Sequence, residues 1–305
     1  MLDKSQVHVD AALSTISVMY KNAAFVAETV LPVLSVKKES DKYAVYGKEA
    51  FKLVETERAD GTEANEASMS LSWADYAAVE HALRDIVTDR VRANADVAIQ
   101  PDIDVTEFLT QLIALRQEKQ MAALLTSTTL ITHNTTLSGT SQWSDYSNSV
   151  PLTNIKTAKA SVRLNTGLEA NTLILGGDVA ETLSLHPDIK DLRKHTDPNL
   201  LTDAGLPPKV LGLKVVEAKG VENVSYQGLA ESMSYVFGKN AVVAFIAPSV
   251  GLRTLTLGTT IRVGAKTTKK WREEKRAGDM IEVADIYVCK LIAEACGYLV
   301  AAAIA

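Results

Sequence analysis

Apolar and polar positions are patterned most clearly between Phe25 and Trp73. Phe25, Val26, Val30 and Leu31 are apolar and Pro32 turns the chain; Val33, Leu34 and Val36 then run into the charged cluster Lys37, Lys38, Glu39, Asp41 and Lys42. Tyr43-Ala-Val45-Tyr46 alternates at period 2 and stops at Gly47, the pattern of an exposed strand. Lys52 to Ser68 is almost wholly polar, after which Met69, Leu71 and Trp73 resume the alternation. Two alternating stretches around a polar tip predict a long two-stranded arm. An isolated hairpin is marginal in water, so its apolar side chains require a partner surface, most simply another copy of the chain. Asp75 to Val91 is ambiguous. Tyr76, Val79, Leu83, Ile86 and Val87 fit helical spacing, but a strand here supplies the outgoing strand with a partner, and the strand is expected.

Asp104 to Thr126 is the clearest helix: Asp104 as N-cap, Glu107 reaching back in a capping box, and a stripe of Val105, Phe108, Leu112, Leu115, Ala122 and Leu125, widened by Leu109, Ile113 and Leu124. The Ser-, Thr- and Asn-rich stretch from Thr126 to Val150 reads as loop. Pro151 opens a helix that Gly167 ends, and Thr172 to Leu175 is a buried strand. Asp178 is expected to cap a helix, and Pro187 to start another, Asp188 to His195. After a loop from Asp197 to Pro208, strands are predicted at Lys214–Glu217, Ser234–Phe237 and Ala241–Ile246. Two long strands follow, Thr260 to Arg272 and Asp279 to Leu291, around the charged turn Glu273 to Gly278. Met1 to Ala24 has weak helical periodicity and reads as an arm that orders on contact with neighbours. Strands mixed with helices in the second half imply an α+β or α/β subdomain.

Composition narrows the class. The 305 residues are 47% hydrophobic and 23% charged, values of a globular protein. A net charge of −5 argues against a dedicated nucleic-acid binder, which carries a basic stripe, and does not exclude a shell around DNA, since a wall that stuck to the phosphate backbone would hinder packaging. Cys289 and Cys296 cannot build a disulfide framework, and Met1-Leu-Asp-Lys does not open a signal peptide. The longest apolar run, Gly297 to Ala305, falls short of the roughly 20 residues of a membrane span. A cytosolic protein, or one in a particle assembled in the cytosol, is expected.

Candidate chemistry reads as structure. Gly176-Gly177-Asp178 fits a strand end and helix cap better than a nucleotide signature. Cys289 and Cys296, seven apart with no histidine at ligand spacing, read as packed thiols. His186 and His195 flank Asp188 and Asp191 and read as surface or capping residues. Glu273-Glu274 beside Lys275-Arg276 reads as a solvated turn, and no G-x-S-x-G elbow occurs. No catalytic residue, cofactor or metal is expected.

Several segments carry a family resemblance. Leu13-Ser-Thr-Ile-Ser-Val-Met-Tyr-Lys-Asn22, Phe25-Val-Ala-Glu28, Pro32-Val33 and Ser40-Asp-Lys-Tyr43 resemble the N-terminal region of tailed-bacteriophage major capsid proteins. Asn171 to Asp178 with His186-Pro-Asp-Ile189 resembles the entry to that family's axial domain. Trp271 to Arg276 with Val283 and Gly297-Tyr-Leu299 resembles its C-terminal strands. The resemblance implies a Hong Kong 97-type α+β fold: an N-terminal arm (1–34), an extended loop (35–90), a peripheral domain (91–165 plus 259–305) with spine helix 104–126, and an axial domain (166–258). It also makes 75–91 the returning strand of the extended loop. It implies hexamers and pentamers closing an icosahedral shell around double-stranded DNA, without sequence-specific DNA binding. A portal, a separate scaffolding protein and a cement protein would be partners, or else an N-terminal segment is removed. Tyr43, Tyr46, Phe51, Met69 and Trp73 would press the arm onto the next subunit, where Lys48, Lys52 and Arg58 meet acidic groups; packing inside their own chain is the alternative. Some members crosslink a loop lysine to a neighbour's asparagine, but nothing local marks Lys48 or Lys52 as reactive. An encapsulin-like cargo shell and a soluble enzyme with an unseen site are the other functional readings.

Overall fold

A computed structural model describes residues 22, 25–95, 100–194, 201–226, 228–251 and 254–305. Most of the expected N-terminal arm, His195 and the first part of the loop from Asp197 lie outside them. The chain enters through a single helical turn, α1 (Ala27–Val30), and β1 (Val33–Val36). Next come β2 (Ser40–Tyr46) and β3 (Leu71–Ala77), paired antiparallel in the expected arm with Tyr46 opposite Leu71 and Ala44 opposite Trp73. β4 (Val79–Thr88) confirms strand over the ambiguous stretch, but its partner is not the outgoing strand of the arm. β3 fills that role, and α2 (Asp89–Asn94) replaces the end of the expected strand.

The long helix, α3 (Pro101–Leu125), starts three residues before the expected cap. Proline suits the first helical position, so Pro101 opens the helix and Asp104 lies in its first turn beside Asp102, where negative charge complements the helix dipole. At ~1.5 Å per residue it is about 38 Å long. Its buried stripe is Leu109, Ile113, Gln117, Glu118, Met121, Ala122 and Leu125, while Phe108 and Leu112 of the expected stripe are exposed. The helix packs against both a sheet and α1, so its buried arc is wide and takes in polar residues.

The serine-rich stretch holds β5 (Asn134–Thr136) and a short 3-10 turn (Gly139–Ser141), and it buries Trp143 completely. α4 (Pro151–Thr166) ends at Gly167, whose φ of 70° is the left-handed conformation expected there. β6 (Thr172–Gly176) leads into α5 (Gly177–Ser184), capped by Gly176, with Asp178 in the first turn instead of at the cap. α6 (Pro187–Arg193) is capped by His186. β7 (Lys209–Val210), β8 (Leu213–Ala218), β9 (Val221–Asn223), β10 (Met233–Tyr235) and β11 (Ala241–Ala244) follow. The strand expected at 234–237 does not join a large sheet; β10 pairs with β9 in a separate ribbon. The chain closes with β12 (Gly258–Val263), β13 (Thr267–Glu273), β14 (Gly278–Leu291) and β15 (Gly297–Ala301).

Two sheets organise the core. In the first, β14 is central: β4 runs along one side, β12 and β13 along the other, and β1 joins β12 in parallel. β12 and β13 are one long strand in two pieces, their register against β14 slipping by two residues around Gly264. Leu109, Ile113, Met121 and Leu125 of α3 share a core with Val283, Tyr287 and Cys289 of β14. The second sheet has the order β5-β15-β11-β6-β8-β7. Ile174, Val216, Val242 and Leu299 face the first core, whereas Leu173, Leu175, Val215, Val243 and Val300 face a second core under α4, α5 and α6. Burial on both faces is why Thr172 to Leu175 shows no alternation. β15 belongs to this second sheet although it was grouped with the long hairpin, because Leu299 and Val300 point into opposite cores.

Candidate assembly surface

The arm is firmly held at its root. Ala78 N–H donates to the Glu39 carbonyl at 2.7 Å, Tyr76 hydroxyl donates to the Lys38 carbonyl at 3.2 Å, and Lys290 of β14 donates to the Asp75 carbonyl. Pairing continues past Tyr46, where Gly47 N–H donates to the Ser70 carbonyl and Ser70 Oγ donates to Glu49 Oε1 at 2.6 Å. A β-carbon at Gly47 would fall 2.1 Å from Glu49 Oε2 and 2.3 Å from Ser70 Oγ, so a larger residue here would displace that hydrogen-bonded pair.

The period of 2 splits the expected site residues between two faces. Tyr43 and Val45 lie on one face with Tyr76 and are half-buried; burial, then the Asp75 carboxylate, pushes the Tyr43 phenol up. Tyr46 and Trp73 lie on the other face with Leu71, which is also exposed; Trp73 leaves 63% of its surface open and Tyr46 39%. Met69 is exposed just beyond. Lys48 and Lys52 are exposed, and Arg58 Nε donates to the Thr62 carbonyl at 2.6 Å inside the tip. The Phe51 ring rests on the chain's own Gly167, where a β-carbon would come 3.2 Å from Cε1. The structure thus brings Tyr46, Trp73 and Leu71 together, and separates Tyr43 and Phe51 from them.

Below the arm, a ring of charges locks the first sheet to the helices. Arg272 holds Asp89 with two bonds of 2.6 Å, Lys270 reaches Asp102 at 2.7 Å, and Arg92 reaches Asp102 at 2.8 Å and Asp279 at 3.1 Å. Arg272 holds the Asp89 carboxyl below the usual range, and Lys270 with Arg92 does so for Asp102. On the other side of α3, buried Glu118 accepts Val26 N–H at 3.0 Å and Ala27 N–H at 2.8 Å, capping α1 from a distant element. Burial pushes the Glu118 carboxyl up against the lowering effect of those two bonds.

One arrangement resembles a nucleophile triad and was not visible in the sequence. Ser149 Oγ lies 3.2 Å from His186 Nε2, and Asp188 Oδ2 lies 3.7 Å from His186 Nδ1. The wiring is that of a helix cap. Asp188 N–H donates to Nδ1, so the ring proton sits on Nε2 and points at Ser149, whose own hydroxyl donates to the Asp145 carbonyl at 2.6 Å. A serine nucleophile needs the opposite direction, its proton passing to the ring. Cys289 and Cys296 are buried free thiols, and burial pushes Cys296 up to about 11. Among the described residues no cluster of three or more His, Cys, Asp or Glu is placed to hold a metal, and no helix is long and apolar enough to cross a membrane.

A long helix on a sheet, a second α/β layer and a protruding two-stranded arm make this the Hong Kong 97-type α+β fold of phage capsids. The chain resembles tailed-phage major capsid proteins over nearly its whole length. It is 26% identical to the major capsid protein of Burkholderia phage BcepMu over 300 residues, 96% of this chain and 95% of that protein. Among solved structures, a phage-related protein from Bordetella bronchiseptica RB50 superposes with a TM-score of 0.71 at 22% identity, covering 93% of each chain. The capsid of cyanophage P-SCSP1u does so with a TM-score of 0.66 at 10% identity, covering 94% of this chain and 90% of that one. No family model matches the chain.

Proposed function

We propose that this chain builds an icosahedral phage head through hexamers and pentamers and encloses double-stranded DNA within it. Similarity to phage major capsid proteins supports the capsid role and indicates a virion location. One observation supports the finer reading: an arm anchored at its root presents Leu71 and Trp73, beside Tyr46, on a face that is exposed among the described residues. Fully burying an apolar side chain of this size contributes about 1.5–3 kcal/mol. Repeated around a ring of copies, such contacts close an assembly in which one patch meets a different patch of the next subunit. Met69 extends the apolar face, and Lys48, Lys52 and Arg58 meet acidic groups of the neighbour. Tyr43 supports the face from behind, and Phe51 exchanges its contact with Gly167 for one on the neighbour as the arm extends. The sheet around β14 with α3 forms the peripheral domain, and the six-stranded sheet forms the axial one. A scaffolding protein and a portal guide closure, a cement protein reinforces the shell, and the net negative charge keeps packaged DNA free of the wall.

Negative-stain electron microscopy of the purified chain, with and without its cognate scaffolding protein, tests this reading. Rings, tubes or closed shells containing DNA are expected. Shells filled with an enzyme cargo would transfer the fold to a compartment. A compact monomer or dimer that persists with scaffold supplied would contradict the capsid role.

A further inference from the structure

β3 and β4 are nearly one strand, separated only by Ala78, yet they pair with different partners. β4 runs antiparallel to β14 from Thr88, opposite Gly278, back to Val79, opposite Tyr287. Carried back through Ala78, that register would set Tyr76 beside Lys290 and Asp75 beside Leu291. The ladder ends at Val79 because β3 turns to pair with β2, Ala77 lying opposite Ser40. β14 itself continues to Leu291, and β3 stays in contact with it.

Two independent features bring the Lys290 side chain to the departing strand. Tyr287 and Cys289 share a core with α3, so Lys290, by the period of 2, lies on the opposite face of the sheet. In the arm, Gly47 N–H donates to the Ser70 carbonyl and Ala78 N–H to the Glu39 carbonyl. Bonded pairs alternate along an antiparallel ladder, so the N–H and C=O of Asp75, opposite Lys42, point away from β2 to the outer edge of β3. Lys42 N–H, on the other outer edge, accordingly donates to Asp41 Oδ1 and not across the ladder. The outward Asp75 carbonyl accepts from the Lys290 ammonium. A side chain thus supplies the rung that the β14 backbone no longer reaches. We propose that Lys290 is the positioning residue of the arm: by holding β3 at Asp75 it sets the angle at which the arm leaves the first sheet. The bond is charge-assisted, hence stronger than a neutral hydrogen bond, and it acts at the root, where a small rotation is magnified along the seven-residue strands. That this angle serves a neighbouring subunit rests on the function proposed above; the hold itself is a property of the single chain.

The test uses the full, unassembled chain, spin-labelled at Ala50→Cys, past the far end of β2, and at Ala123→Cys on α3, both exposed positions. Label is added to the folded chain, in which Cys289 and Cys296 are buried. Because the Phe51 ring also touches Gly167, distances are measured by double electron–electron resonance in a Phe51→Ser background, where Lys290 is left to act alone. A single narrow distance distribution is expected with Lys290 in place. Lys290→Met keeps the aliphatic stem but removes the donor, and the distribution should roughly double in width. Lys290→Arg should restore it. A lysine that only stabilised the fold would lower the thermal midpoint in Lys290→Met and leave the width unchanged, which would overturn the proposal. A broad distribution with Lys290 present would overturn it as well. A narrow, Lys290-dependent distribution in a chain that builds no particles with its scaffold would uphold the proposal and count against the assembly reading alone.

Discussion

The arm and the long hairpin of the first sheet are both antiparallel pairs with alternating side chains, yet they differ in everything around them. β14 has β4 on one side, β12 and β13 on the other, and α3 across a face, so Val283, Tyr287 and Cys289 are buried. Among the described residues β2 and β3 form a ladder only with each other, held at the root by Lys290, and Leu71 and Trp73 are exposed. The same local pattern is thus completed inside the chain in one region and, in the function proposed above, completed by another subunit in the other. On the proposed function stability and assembly are carried by different residues, and substitutions should separate them.

The largest effect is expected from Tyr46→Ser with Trp73→Ser. Rings and shells should disappear from electron micrographs, while the unfolding free energy of the unassembled chain stays within about 1 kcal/mol of the parent, as for surface substitutions. Ile113→Ala should do the reverse within the subunit: a cavity between α3 and the sheet costs about 2–5 kcal/mol in denaturant unfolding. Should the arm variant unfold like the core variant, the contrast between the two regions would collapse.

Glu118 comes next. Glu118→Ala leaves the Val26 and Ala27 amides without their acceptor, a loss of about 1–3 kcal/mol, and Glu118→Gln should lose less because one oxygen remains. Its raised folded-state pKa means that the folded chain binds this proton more tightly than the unfolded chain. The linked stability is present below the ordinary carboxyl range, about 4.3, and is lost as pH rises through the raised value. Unfolding midpoints measured across that window should fall with pH in the parent and flatten in Glu118→Gln.

The charge ring is expected to give the smallest change and the opposite slope. Asp89 and Asp102 have depressed pKa values, so their contribution is present above about 3.9 and is lost as pH falls through the depressed values. Asp89→Asn should lower the thermal midpoint slightly, less in high salt, because the Asp89–Arg272 pair is solvent-accessible.

Much of this was legible in the residues. The arm, the helix ending at Gly167, and the long hairpin with its turn at Glu274–Arg276 follow from alternation, proline, glycine and charge placed where local chemistry decides. What was not legible depends on distant partners. Helical spacing from Tyr76 to Val87 says nothing of β2, which pairs with Tyr76, or of β14, which makes Val79 to Val87 a strand. Phe108 and Leu112 count as core by spacing, whereas Gln117 and Glu118 are the buried ones because α1 and the sheet both lie against α3. The arm's site residues were identified by type, but only the register divides Tyr43 from Tyr46 and Trp73 and adds Leu71 to the open face. Ser149 beside His186 joins residues 37 apart, and no local pattern signals it.

We propose that the exposed face of the arm is an interface between subunits. Hydroxyl-radical footprinting, read by mass spectrometry on free subunits and on assembled particles, examines it most directly. Labelling of Trp73, Tyr46 and Leu71 should fall sharply on assembly, while Trp143, fully buried in its own subunit, stays low in both states. Equal labelling of Trp73 and Tyr46 in free subunits and in closed particles would rule out an interface on this face.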